Sequence, residues 1–463
     1  MLAAAVGIFF IVVRLGSTLA APPPPPVPIE IGRHEAPLAT NLVVHVLLAM
    51  AGVIALGRLL GALLSRVRQP PVIGEVLAGI LLGPSLLGRV APDVGAFLLP
   101  ASITPSLNLI AQIGVVLYMF IVGLELNLER VGSRAHATVA ISHASIVVPF
   151  VLGTTLALFL YPRLSTSDVS FANFALFIGV AMSITAFPVL ARILSDRGMT
   201  RSELGVIALT CAAVDDVTAW CLLACVVGVA KAKAESAVVV VILTIAFIAA
   251  MLVVVKPLLR RLIGAAERRS WRAFVITLAG AALSAWATER IGVHAIFGAF
   301  LFGAILPHDG FIARTWITNV KVPVTILLLP AFFAFAGMRT RVDLVDSGFA
   351  WLVTLLIIVV ATAGKFGGTF VAARLSGENT RQAAGLGILM NTRGLMQLIV
   401  LNVGLDLGVL TPALFTMLVL MALVTTMATT PILDLLQATE AAEGTGSHGG
   451  TKARSNTEKT RSR

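Results

Sequence analysis

The chain has 463 residues, of which 58% are hydrophobic and only 12% charged, with a mean hydropathy of +0.97. This mix excludes an ordinary soluble domain, and apolar runs of about 20 residues recur, each long enough to cross a hydrocarbon core roughly 30 Å thick as a helix. The formal net charge of +11 does not point to nucleic acid, because the basic residues lie in short loops rather than on one soluble face. A barrel is excluded as well, since runs such as Val238 to Val255 are apolar on every face. The predicted fold class is an all-α polytopic membrane protein.

In chain order, an apolar run from Ala3 to Val13 is followed by Ser17-Thr18-Leu19-Ala20-Ala21 and five prolines, Pro22 to Pro26. Residues 1–21 therefore read as a secretory signal ending near Ala20 or Ala21, or as an additional apolar helix, the usual basic start of a signal being missing. Residues 22–40 form a Pro-rich linker. A transmembrane domain then occupies 41–437, with about thirteen spans beginning near 42, 71, 105, 137, 172, 202, 236, 271, 292, 321, 348, 383 and 410; the second is short and carries Gly and Pro. Cations crowd alternate connections, at Arg66/Arg68, Arg130/Arg134, Arg192/Arg197/Arg201, Lys256 to Arg272, Arg314/Lys321 and Arg374/Arg381. By the positive-inside rule those connections are cytoplasmic, which puts the N-terminus outside and the C-terminus inside a cell (inner) membrane. Residues 438–463 are rich in Gly, Ser, Lys and Arg and predict a disordered cytoplasmic tail that anionic lipid attracts, with no room for a soluble regulatory domain.

Two spans are interrupted. The fifth is broken by Ser183-Ile184-Thr185-Ala186-Phe187-Pro188, and the twelfth by Asn391-Thr392-Arg393-Gly394. Interrupted spans in corresponding places of two halves point to inverted repeats with a site at the bilayer midplane. Half-way through the sixth span stand two adjacent acids, Asp215 and Asp216. A charge at mid-span costs about 3 kcal/mol on insertion scales, so intramembrane acids read as functional by default; the structural alternative is one ion pair. Two neighbouring carboxylates in low dielectric cannot both ionise cheaply. Such a group holds a proton or a hard cation but not both, which is the physical basis of coupled exchange. Consecutive residues point about 100° apart on a helix, so the two acids meet different neighbours.

Lys365 lies mid-span beside Gly364, Gly367 and Gly368 and cannot easily reach either surface, so a carboxylate partner is expected. Arg393 is buried by position; pairing with Glu75 or Glu125, satisfaction of freed backbone carbonyls, and direct substrate contact are all open to it. Thr185 and Ser183 offer oxygens to a small cation, or simply repair the helix break. Glu75 and Glu125 lie near span ends and read as structural or access-path acids. His294 is a helix-start or packing histidine before a run of small residues. Cys211, Cys221 and Cys225 share one span without metal-ligand spacing and read as small buried apolar residues.

Together these stretches resemble the monovalent cation:proton antiporter-2 family. The resemblance rests on Gln69-Pro70-Pro71-Val72-Ile73-Gly74-Glu75 through Gly83-Pro84, Phe120 to Glu125, Ser183 to Leu194, Asp215-Asp216, Gly364-Lys365 and Thr392-Arg393-Gly394. It covers residues 40 to 437, and Asn391 to Leu395 with Leu398 to Asn402 look most like the cation/H⁺ exchanger branch. It implies a homodimer, two crossing discontinuous helices and alternating access, with no cofactor, no ATP site and no enzymatic reaction. It also implies that Asp216 binds the exchanged Na⁺ or K⁺ and the proton, that Asp215 pairs with Lys365, and that Thr185 is a neighbour at the crossing. Many relatives carry regulatory domains that this chain has no room for, which puts ligand gating in doubt. A K⁺ efflux channel-like protein of the same fold is the first alternative. An intramembrane enzyme is the second, but neither a Gly-x-Gly-Asp motif nor Asp-rich repeats are present.

Overall fold

The computed structural model describes residues 1–24, 42–125, 135–199, 202–231, 234–266, 270–307 and 311–458. Among them every regular element is helical. The first helices are α1 (Leu2–Gly16), α2 (Leu42–Arg66), α3 (Pro71–Leu82), the short α4 (Leu87–Val90) and α5 (Pro92–Leu98), then α6 (Thr104–Glu125) and α7 (Ala135–Leu164). The first interrupted span is α8 (Phe171–Ser183) with α9 (Phe187–Asp196), followed by α10 (Glu203–Lys231), which carries the acid pair. Next come α11 (Ala234–Ala250), α12 (Lys256–Ala266), α13 (Ser270–Ile291), α14 (Ala295–Ile305), α15 (Phe311–Thr315), α16 (Lys321–Pro323) and α17 (Leu329–Met338). The chain ends with α18 (Gly348–Thr362), α19 (Gly368–Leu375), the second interrupted span α20 (Thr380–Met390) with α21 (Leu395–Asp406), and α22 (Pro412–Glu458). Among the described residues, eight helices are long and apolar enough to cross a membrane. Shorter apolar pieces, such as α8 and α21, stop where the chain breaks.

Backbone polar groups have no water to bond in hydrocarbon, so the chain folds as helices, and small residues let them approach. One bundle is built from α2, α3, α6, α13, α14 and α17. Its seams are glycine contacts: an added Cβ at Gly79 would stand 2.2 Å from the Ala334 carbonyl oxygen, and one at Gly123 2.1 Å from that of Phe300. A second bundle comprises α7, α8, α10, α19 and α20, with α22 against α18, α20 and α21. The acids lie in this second bundle.

The N-terminal segment, predicted as a signal or an additional helix, is a helix packed on α7 and α8. Phe9 meets Phe150 with ring centroids 5.9 Å apart, and Gly16 leaves room for the ring of Phe171. At the other end, the apolar part of α22 stops at Leu436, and the helix continues through the polar residues for which composition predicts no fixed structure. His294 is the N-cap of α14, its Nδ1 accepting from the Ile296 N–H, a helix-start role. Cys211 is buried and free; the side chains of Cys221 and Cys225 lie outside the described ones.

Candidate ion site at the crossing of two broken helices

Proline forces the first break. Pro188 has no N–H to give to Ile184, and its ring would collide with that carbonyl in a continuous helix. Ile184 accordingly turns extended, at φ −73° and ψ 135°. The second break runs from Asn391 to Gly394, where an added Cβ at Gly394 would stand 2.5 Å from Cγ2 of Val189 in α9. The two interruptions touch: the Ala186 N–H donates to the Thr392 carbonyl at 3.0 Å.

Each interruption leaves orphan carbonyls behind it and orphan N–H groups ahead. Arg393 answers the first set. Its guanidinium donates to the carbonyls of Ala181 (3.0 Å) and Met182 (2.7 Å) at the end of α8, and to Gln397 Oε1 at 3.2 Å. Of the alternatives that the sequence leaves open, its partners are backbone carbonyls and not Glu75 or Glu125. The Arg393 backbone is held in turn by Thr426, whose Oγ1 accepts from its N–H at 3.1 Å and donates to its carbonyl.

Asp215 and Asp216 are both 1% exposed yet have opposite surroundings. Asp215 Oδ1 accepts from Ser142 Oγ at 2.6 Å. Its Oδ2 accepts from Ser145 Oγ at 2.7 Å, Thr185 Oγ1 at 2.9 Å and Lys365 Nζ at 3.1 Å. Lys365, with no exposed surface, also reaches Thr185 Oγ1 at 2.5 Å. Neither carboxyl oxygen of Asp216 has a hydrogen-bond partner. The N–H of Phe187, at the start of α9, faces this carboxyl without completing a bond. That helix end offers partial positive charge to an anion.

Glycine and proline bring Lys365 to its partner. It sits in a π-helical turn, Ala363–Gly367, between α18 and α19. Such turns are frequent at functional sites. An added Cβ would stand 2.8 Å from Pro149 Cα at Gly364 and 2.9 Å from the Ala144 carbonyl at Gly368, so the absence of side chains is what lets this turn press on α7. Ser142 and Ser145 lie on the same stretch of α7. They are buried, and nothing in the sequence around them sets them apart from other serines in apolar helices.

The remaining candidates are dispersed. Ser183 Oγ stands 2.7 Å from the Gly179 carbonyl and 3.0 Å from that of Ile146, ties within and beside α8 rather than contacts with the acids. Glu125 forms an ion pair with Lys321 at 2.6 Å. Glu75 is 8% exposed and faces Arg58. Both glutamates line a cavity of about 430 Å³ that also touches Tyr118, Lys321 and Phe187, so it runs from the Glu125–Lys321 mouth to the first break. At the opposite end, Arg339, the C-cap of α17, donates to Asn402 (3.1 Å) and Asp406 (2.6 Å) of α21, joining the two bundles. Among the described residues no group of His, Cys, Asp and Glu forms a multivalent metal site.

Two crossed, interrupted helices around buried acids, inside a bundle of apolar spans, define the class as a polytopic helical transporter. The profile described as "Sodium/hydrogen exchanger, transmembrane" matches residues 51–435, and the chain belongs to that family of membrane antiporters. It is 43% identical over 400 residues to Na(+)/H(+) antiporter NhaS4 of Synechocystis, covering 85% of this chain and 97% of that protein. Cation/H(+) antiporter 20 of Arabidopsis thaliana is 40% identical over 394 residues, which are 82% of this chain and 47% of the relative. K(+)/H(+) antiporter 1 of Saccharomyces cerevisiae is 33% identical over 80% of this chain and 44% of its own length. This chain thus spans about half the length of the plant and yeast relatives. The fold is also that of the sodium proton antiporter MjNhaP1 from Methanocaldococcus jannaschii, with a TM-score of 0.62, 14% identity and coverage of 84% of this chain and 96% of that one.

Proposed function

We propose that the protein is a secondary antiporter that exchanges Na⁺ or K⁺ for protons by alternating access, with Asp216 as the acid that carries either ion. One observation carries this reading: Asp216 is fully buried and lacks a hydrogen bond, while the adjacent Asp215 has four donors. A buried carboxyl without donors is costly as an anion and is relieved by a proton or a cation. Asp215 is already relieved by Lys365 and three hydroxyls. Thr185 serves as a neighbour that orients this pair, and Lys365 and Arg393 are the charge partners of Asp215 and of the α8 carbonyls. Ser183 braces the break.

The cavity past Glu75 and Glu125 gives access from the side bearing most loop cations, which the positive-inside rule makes cytoplasmic. On the other side the Arg339–Asp406 pair joins the two bundles and lines a second cavity of about 490 Å³. Movement of the α7–α10 bundle against α3, α6 and α17 would connect the acids to one cavity or the other. We further propose a cell-membrane location with the N-terminus outside, thirteen spans and a homodimer. The exposed apolar faces of α2, α11 and α13 suit lipid or a second copy.

A pH jump applied to proteoliposomes with Na⁺, K⁺ or Li⁺ tests the reading. Wild type should show cation-dependent proton flux and Asp216→Asn none; flux that survives this substitution removes Asp216 from the role. Cation flux without proton counterflow would instead favour the channel-like alternative.

A further inference from the structure

Lys365 is not the sole support of Asp215. It is the most distant of the four donors to that carboxylate, at 3.1 Å, and two of the three closer ones come from α7. Ser142 meets Oδ1 and Ser145 lies 2.7 Å from Oδ2, with the Ser142 carbonyl at 2.8 Å as the alternative acceptor for its one hydrogen, so each oxygen has a hydroxyl within reach even without the lysine. The serines are one helical turn apart, the spacing that puts two side chains on one face. Hydroxyls bonded to an ionised carboxylate are charge-assisted and short, as here. The charged and titratable groups around this acid are Lys365, Asp216 on its own helix and Cys211 one turn earlier, with Arg393 acting on Lys365 from the second break.

We propose that Ser142 and Ser145 are positioning residues that hold Asp215 as a standing anion, so that Lys365 can leave it during the cycle without Asp215 taking up a proton. The inference rests on Asp216 as the exchanging acid, and its main readout is chosen to be independent of transport.

The test is infrared difference spectroscopy of the full chain in lipid, carrying ¹³C-labelled aspartate. Each variant is subtracted from the same variant with Asp215→Asn, with and without Asp216→Asn. At neutral pH, Asp215 should give a carboxylate band in wild type and in Lys365→Gln. It should give a protonated carboxyl band in Lys365→Gln combined with Ser142→Ala and Ser145→Ala. A protonated Asp215 in Lys365→Gln alone, serines intact, overturns the proposal, and that single variant decides the matter if the triple one does not fold. In transport, Ser142→Ala/Ser145→Ala should lower the maximal rate about tenfold, the equivalent of one charge-assisted hydrogen bond, while the cation KM moves less than about twofold. Ser145→Thr, which keeps the hydroxyl, should restore most of that rate. A maximal rate unchanged in the double alanine variant overturns the proposal.

Discussion

The two interrupted helices cross at one point, yet they are finished in different ways. The break at Asn391–Gly394 is stapled: Arg393 caps α8, Thr426 grips its backbone, and Thr392 Oγ1 meets Thr429 Oγ1 at 3.3 Å. The break at Ile184–Ala186 is left open on one side, where the start of α9 faces the unpartnered Asp216 and the end of a cavity. The same interruption of a helix thus supports structure in one half and exposes an acid in the other. Orphan backbone groups make a site where side chains leave them unmet, and a joint where they are met.

Substitutions on the two sides should therefore fail in different ways. The largest effect is expected for Asp216→Asn, which removes the ionisable group without removing a hydrogen bond. Exchange should fall at least about a hundredfold, as for loss of a unique reacting group, while the unfolding temperature in detergent holds or rises. A large drop in thermal stability would make Asp216 a joint residue instead. Arg393→Ala should do the reverse. Leaving the α8 carbonyls bare should cost about 2–4 kcal/mol, read as a lower unfolding temperature and poor membrane yield. Next, Gly394→Val forces a side chain against Val189 and should cost about 1–3 kcal/mol by overpacking. The smallest effect is Glu125→Gln at the partly exposed cavity mouth, where loss of the Lys321 pair should change stability by less than about 1 kcal/mol. Its readout is the cation KM for uptake from the cavity side, which should rise while the opposite direction stays unchanged.

Much of this was legible in the sequence because the membrane penalises what it does not need. Apolar runs, a proline in mid-span, two adjacent acids and a lysine among glycines each stand out against a lipid background. The contact of Lys365 with Asp215 follows from the same penalty, since neither charge can escape to water. Ser142 and Ser145 are hidden in the sequence for the opposite reason: a serine inside an apolar helix can satisfy itself on a carbonyl one turn back. Ser183 does so, the helix-repair role that its sequence position left open beside that of a ligand oxygen, and Ser145 has such a carbonyl at 2.8 Å as well. Nothing local distinguishes the two behaviours, because the acid that recruits Ser142 and Ser145 lies 73 and 70 residues away. The partners of Arg393 were equally hidden, as a guanidinium suits carboxylates and carbonyls alike.

The cap that Arg393 places on α8 has a consequence for how the protein is made. Arg393 and the Ala181 carbonyl that it satisfies are 212 residues apart. At about 5–20 residues per second, the usual rate of synthesis, α8 waits about 10–40 s between its own emergence and the arrival of its cap. During that interval its bare end must be sheltered by water, by Ser183 or by the insertion machinery. The first half of the chain is therefore an unfinished object until the second half arrives, and a block in synthesis before residue 393 should leave a membrane-inserted fragment open to proteolysis at the first break.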